Sequence, residues 1–118
     1  MLGLTLRLSK SSKDLDSLRL LLRKKKMDNE LTDQQKSIML IAQEECSEVI
    51  QAVSKCFRFG IGEVFNGKTN RERLEEEIGD LLCMIRLMSE NGLIDEYNVD
   101  SAINKKEEKL KKWSQIYQ

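Results

Sequence analysis

The chain has 118 residues, room for one domain with a modest core and little else. Its twenty Lys and Arg residues balance twenty Asp and Glu, so no basic surface dominates and nucleic acid is not the expected partner. Histidine is absent, which removes a histidine general base, Cys/His zinc sites, Glu-x-x-His di-iron sites and His-Asp phosphohydrolase sites, and leaves oxygen ligands for any metal.

The start, Met1 to Leu8, is apolar but broken by Gly3 and Arg7, so it reads as neither a signal peptide nor a membrane span. Cys46, Cys56 and Cys83 are odd in number, lack CxxC spacing and fall in apolar helical patterns. A reduced, cytoplasmic chain is expected. Proline is absent and aromatic residues make up 5%, a composition that favours helices, and no segment reads as a strand.

Leu15, Leu18, Leu21 and Leu22 follow a polar stretch at helical spacing and lead into the basic run Arg23 to Lys26, which predicts a short amphipathic helix. Met27 is a credible start for a compact domain, so residues 1 to 26 are expected to form an extension and residues 27 to 118 the domain proper. Thr32-Asp33-Gln34-Gln35 has the form of a capping box and opens a long helix. Its apolar positions are Ile38, Ile41, Val49, Ala52, Val53 and Cys56, and it ends at Phe59-Gly60. Gly60 to Lys68 reads as a loop. Thr69-Asn70-Arg71-Glu72 is a second capping box, opening a helix with Leu74, Ile78, Leu81, Leu82, Ile85 and Met88 on one face, up to Asn91-Gly92. A third helix is predicted from Asn98 or Asp100 through Trp113, with lysines on its outer face. The fold class is all-α, a helical bundle.

Acidic residues interrupt both apolar stripes. Glu45 lies four residues from Ile41 and four from Val49; Glu48 borders the same face, and Glu44 reaches its edge. On the next helix Glu77 sits three after Leu74 and four before Leu81, with Asp80 following. Packing the two faces together gathers these carboxylates in one volume, with no Lys or Arg at matching stripe positions. Inward carboxylates repel one another and cost several kcal/mol per ion to desolvate. Either some take up protons, or a divalent cation binds, and an oxygen-only donor set favours Mg²⁺ or Mn²⁺. A cation that keeps waters and binds phosphates points to phosphoryl or nucleotidyl chemistry. A solvated acidic face on a helical interaction module is the competing reading of a single EExxE; the pairing of two such motifs across a glycine-rich loop weighs against it.

The pair Glu44-Glu45-Cys46-Ser47-Glu48 and Glu77-Ile78-Gly79-Asp80 resembles the EExxE and ExxD signature of the MazG-like all-alpha nucleoside triphosphate pyrophosphohydrolases. The resemblance extends through Lys55, Arg58-Phe59-Gly60 and the Lys-rich end leading to Trp113, over roughly residues 33 to 115. The 28 residues between Glu48 and Glu77 make a long spacer, which implies an enlarged loop. The resemblance implies Glu45, Glu48, Glu77 and Asp80 as magnesium ligands, Mn²⁺ being a substitute. It casts Glu44 as an auxiliary acid that holds a second metal or orients the attacking water. It also implies cleavage of a nucleoside triphosphate between its alpha and beta phosphates, giving a monophosphate and pyrophosphate. Lys55, Arg58, Lys68, Lys105 and Lys109 are then the candidate phosphate contacts.

The stretch Arg71 to Gly79 echoes a Nudix box, but counting back from Gly79 places Glu72 where the arginine belongs and Arg73 where the glutamate belongs. Among the aromatics, Phe57, Phe59, Phe65, Trp113 and Tyr117 are candidates for core packing or for stacking on a base, with Phe59 the best placed for stacking. So thin a core gains burial by pairing with other copies, so a homodimer or homotetramer is expected.

Overall fold

The computed structural model describes residues 11–117; the apolar start at Met1 to Leu8 lies outside them. Four helices and one short hairpin form among the described residues: α1 (Ser12–Asn29), α2 (Asp33–Phe59), β1 (Val64–Phe65), β2 (Lys68–Thr69), α3 (Asn70–Glu90) and α4 (Glu96–Trp113). The fold is all-α in class. Two compact units divide between Thr32 and Asp33.

The first unit holds α1, which runs unbroken through the basic stretch and is longer than its leucine pattern predicts. At its start the Ser11 hydroxyl accepts from the Asp14 backbone N–H at 3.3 Å and donates to the Asp14 carboxylate at 2.9 Å. Leu15, Leu18, Leu20, Leu21 and Leu22 are all exposed. No helix among the described residues is long and apolar enough to cross a membrane.

The second unit is built on α2 packed antiparallel to α3. At one end of the pair the Gln35 amide donates to the Asn91 carbonyl at 2.8 Å; at the other the Cys56 thiol reaches the Asn70 carbonyl at 3.8 Å. Ile38, Ala42 and Met84 form the buried centre, with Leu87, Met88 and Leu93 against it. The buried line on α2 runs through Ile38, Ala42 and Ala52. Ile41 and Val53, expected inside, are 44% and 38% exposed. Helical geometry sets this: Ile41 and Val53 each sit one residue, about 100°, away from the buried Ala42 and Ala52, and so fall on the flank of the contact. On α3 the line is Asn70 and Met84, while Ile78 and Leu82 lie outside. Cys46 and Cys83, read as part of the apolar pattern, are likewise exposed, and all three cysteines are free.

Each end of α3 is closed by its own chemistry. Thr69 is the N-cap and completes the predicted capping box: its hydroxyl accepts from the Glu72 N–H at 3.1 Å, and the Glu72 carboxylate accepts from the Thr69 N–H at 2.8 Å. At the other end Gly92 takes a positive φ of 73°. Its N–H donates to Ser89, and the Leu93 N–H donates to Met88, the bonding of a Schellman motif whose trailing leucine folds back onto the core.

Two elements differ from the sequence expectation. The segment read as a loop contains a hairpin, β1 paired antiparallel with β2 through Val64↔Thr69 and Phe65↔Lys68. Asn66 and Gly67 both hold positive φ, 52° and 79°, as a two-residue reversal of the Asn-Gly kind demands. With only two residues per strand, no alternation of apolar and polar residues is long enough to register. Secondly, α4 starts two residues earlier than Asn98, because the Asp95 carboxylate accepts from the Asn98 N–H at 3.2 Å and caps the helix.

Candidate metal centre

Adjacent turns of α2 and α3 bring the acids together. Carboxylate oxygens of Glu45, Glu77 and Asp80 lie within 4.8 Å of one another. Helical spacing explains the meeting: Glu45 follows the buried Ala42 by three residues, and Glu77 and Asp80 precede the buried Met84 by seven and four. Glu45 and Glu77 are half-buried and Asp80 is exposed. Glu48 is half-buried beside this group, near enough to repel both Glu45 and Glu77. Glu44 is exposed at the rim and acts on Glu45 in the same sense.

The electrostatics are those of crowded like charges. Partial burial, followed by repulsion from Asp80, Glu77, Glu44 and Glu48, raises the Glu45 carboxyl above its usual range. Burial and then repulsion from Glu48, Asp80 and Glu76 raise Glu77, with Lys55 pulling the other way. No described ion pair involves Glu45, Glu77 or Asp80. Three oxygen donors at this spacing, without nitrogen or sulfur, suit a hard divalent cation.

Of the candidate cations, Lys55 is close enough to act on the Glu77 carboxyl. It shares the lining of a cavity of about 230 Å³ with Glu48, Gln51, Ala52, Asn70, Arg73, Glu76 and Glu77. Arg58 instead lies over the Phe59 ring, 5.1 Å from its centroid. The Lys68 ammonium is engaged by Glu76 beyond the hairpin. Lys105 and Lys109 are exposed on α4 and do not line this cavity.

Arg73 and Asn70 were not foreseen as site residues. Arg73 is half-buried four residues before Glu77, so the expectation that no arginine shares the stripe is corrected: it sits on that face, one turn away. Its guanidinium donates through Nη2 to the Phe65 carbonyl and lies over the Phe65 ring at 5.8 Å. Its Nε is buried without a hydrogen-bond partner. Asn70, 5% exposed, donates from its side chain to the Gly60 carbonyl at 2.8 Å and so ties the end of α2 to the start of α3. The signal was present in the recurrence of positions 70, 77 and 84 at seven-residue steps, two helical turns each.

An antiparallel helix pair thus carries a carboxylate cluster beside a cavity lined by glutamates together with the cations Lys55 and Arg73. The MazG nucleotide pyrophosphohydrolase domain matches residues 33–114, and the chain belongs to that family. No curated protein and no solved structure was found to match the chain.

Proposed function

We propose that the chain is a Mg²⁺-dependent nucleoside triphosphate pyrophosphohydrolase, Mn²⁺ serving as a substitute. The reaction consumes one water and cleaves between the alpha and beta phosphates, giving a nucleoside monophosphate and pyrophosphate; its role would be sanitation or control of the nucleotide pool. The observation that carries this reading is the convergence of Glu45, Glu77 and Asp80 within 4.8 Å, in a chain of the pyrophosphohydrolase family.

Glu45, Glu77 and Asp80 would hold the cation, with Glu48 completing the set from the adjoining cavity wall. When bound, the cation orients the triphosphate and offsets charge developing on its oxygens. Glu44, exposed at the rim, would hold a second metal or orient the attacking water. Lys55 is the best-supported phosphate contact, because it lines the cavity that Glu48 and Glu77 also line. The other candidates, Arg58, Lys68, Lys105 and Lys109, have less support from their positions.

A homodimer or homotetramer is supported by large apolar side chains left on the flanks of the helix pair. Leu40, Ile50, Phe57, Ile78 and Leu82 are each at least 41% exposed, a pattern typical of faces covered by a second copy.

The test is pyrophosphate release from a panel of ribo- and deoxynucleoside triphosphates with Mg²⁺, comparing the wild type with Glu45→Gln and Asp80→Asn. Release abolished by both substitutions, with the helical content unchanged, is the expected result. A wild type that releases nothing with either metal would leave a non-catalytic helical interaction module as the better account.

A further inference from the structure

The acids and cations account for the phosphate end of a nucleotide, but not for its base. A second cavity, about 490 Å³, abuts the first and is lined by Lys55, Phe59, Glu63, Val64, Phe65, Asn70 and Arg73. Lys55, Asn70 and Arg73 line both cavities, so the two are neighbours across these three side chains. The larger one lies within the size range of small-molecule sites. Its character also differs: Phe59, Val64 and Phe65 supply apolar walls, whereas the smaller cavity carries Glu48, Glu76 and Glu77.

We propose that this hairpin cavity is the nucleoside subsite, with Phe59 and Phe65 forming the stacking walls for the base and Lys55 and Arg73 marking the passage to the phosphates. The proposal rests on the pyrophosphohydrolase reading and adds to it the part of the chain that selects the base.

Three features of the chain argue for it. Phe59 and Phe65 are 60% and 65% exposed, so neither ring is used up as core, and both line the cavity. Secondly, Phe65 is held in place: its strand pairs with Lys68, its carbonyl accepts from Arg73, and the guanidinium covers the ring. A ring fixed in advance loses little freedom when a base packs on it. Thirdly, the hairpin is anchored to the metal helices. The Asn70 backbone N–H donates to Glu63 at 3.0 Å, the Arg71 N–H to Ile61 at 2.9 Å, and the Asn70 side chain to Gly60. The distance from base wall to carboxylates is thereby set by backbone bonds.

The experiment is calorimetric titration, with Mg²⁺, of α,β-methylene analogues carrying each base, which resist cleavage, and of inorganic tripolyphosphate, which has no base. The full chain is used as wild type, Phe65→Ala, Phe59→Ala and Phe65→Tyr. Loss of a stacked base by alanine substitution amounts to about fivefold to a hundredfold in affinity. The expected result is a weakening in that range for the tightest analogue with each alanine variant, tripolyphosphate affinity within about twofold of wild type, and recovery with Phe65→Tyr. Analogue binding untouched by both alanine substitutions would overturn the proposal, as would an equal loss for tripolyphosphate or a wild type that binds no analogue. Thermal unfolding checks that the variants fold, which the exposure of both rings favours. The parent reading fails separately: a wild type that binds analogues through these rings but releases no pyrophosphate from cleavable nucleotides keeps the subsite and loses the hydrolase.

Discussion

Neighbouring turns of the same two helices do opposite work. Around Ile38, Ala42 and Met84 hydrocarbon packs on hydrocarbon; one turn on, Glu45, Glu77 and Asp80 crowd together where the same stripe would otherwise continue as core. The apolar turn holds the helices at a separation that the acidic turn, left to itself, would widen by repulsion. In this chain the apolar core and the acidic cluster are therefore not different elements but alternate segments of one interface, and substitutions should separate what each contributes.

The largest effect is expected at the acidic turn. Glu77→Gln should lower pyrophosphate release by about a thousandfold, the loss of roughly 4 kcal/mol of charge stabilisation, while the metal-free protein becomes more stable at neutral pH. The pH dependence follows from the raised carboxyls of Glu45 and Glu77. A carboxyl whose folded value exceeds its unfolded value favours the folded state most at acid pH, and that advantage is lost as pH climbs from about 4.5 through the folded value. Without divalent cations, the gap in Tm between Glu77→Gln and wild type should thus widen from pH 4 to pH 7. Adding Mg²⁺ should raise the wild-type Tm at pH 7 more than at pH 4, and an equal gain at both would count against the cluster as its binding place.

At the apolar turn the expectation reverses. Met84→Ala, at a position 8% exposed, should cost about 2 to 3 kcal/mol by denaturant unfolding while the variant, once folded, retains its turnover. Thr69→Ala removes the hydroxyl that caps α3 and should cost about 1 kcal/mol, with a modest rise in KM because the same residue ends the hairpin. The smallest effect concerns Gly79, beside Asp80. A Cβ there would meet nothing, so Gly79→Ala should stabilise an isolated chain by about 0.5 to 1 kcal/mol. A fall in Tm together with a lower mass in light scattering would instead reveal a second copy packed over Ile78 and Leu82.

What could be read from the sequence tracks the length of each pattern. The α2 and α3 helices, the Thr69 capping box and the stop at Asn91-Gly92 were legible, because 27 and 21 residues give a stripe many turns in which to repeat. The inward placement of Glu45 and Glu77 followed from the same periodicity. The hairpin is not legible from alternation, since two residues cannot alternate, and its Asn66-Gly67 pair is indistinguishable from ordinary loop composition without the flanking strands. Arg73 is hidden for a different reason: a charged residue amid the acidic run from Glu72 to Glu77 reads as solvated surface, although it lies four residues before Glu77 and lines the same cavity. On α2 Ile38 and Ala52 are buried as the pattern predicts, whereas Ile41 and Val53 lie on the flank and Ala42, which hydrophobicity alone ranks below isoleucine, is buried.

If the hairpin cavity takes the base, the two-residue reversal at Asn66-Gly67 is a separate control over selectivity. Pairing slipped by one residue carries every strand side chain to the opposite face, so an insertion at the tip would swing Phe65 away from the cavity it lines. The tip is exposed, where changes of loop length cost the helices little. Lengthening or shortening this one turn would therefore change the wall that Phe65 offers, while the carboxylates on α2 and α3 keep their spacing.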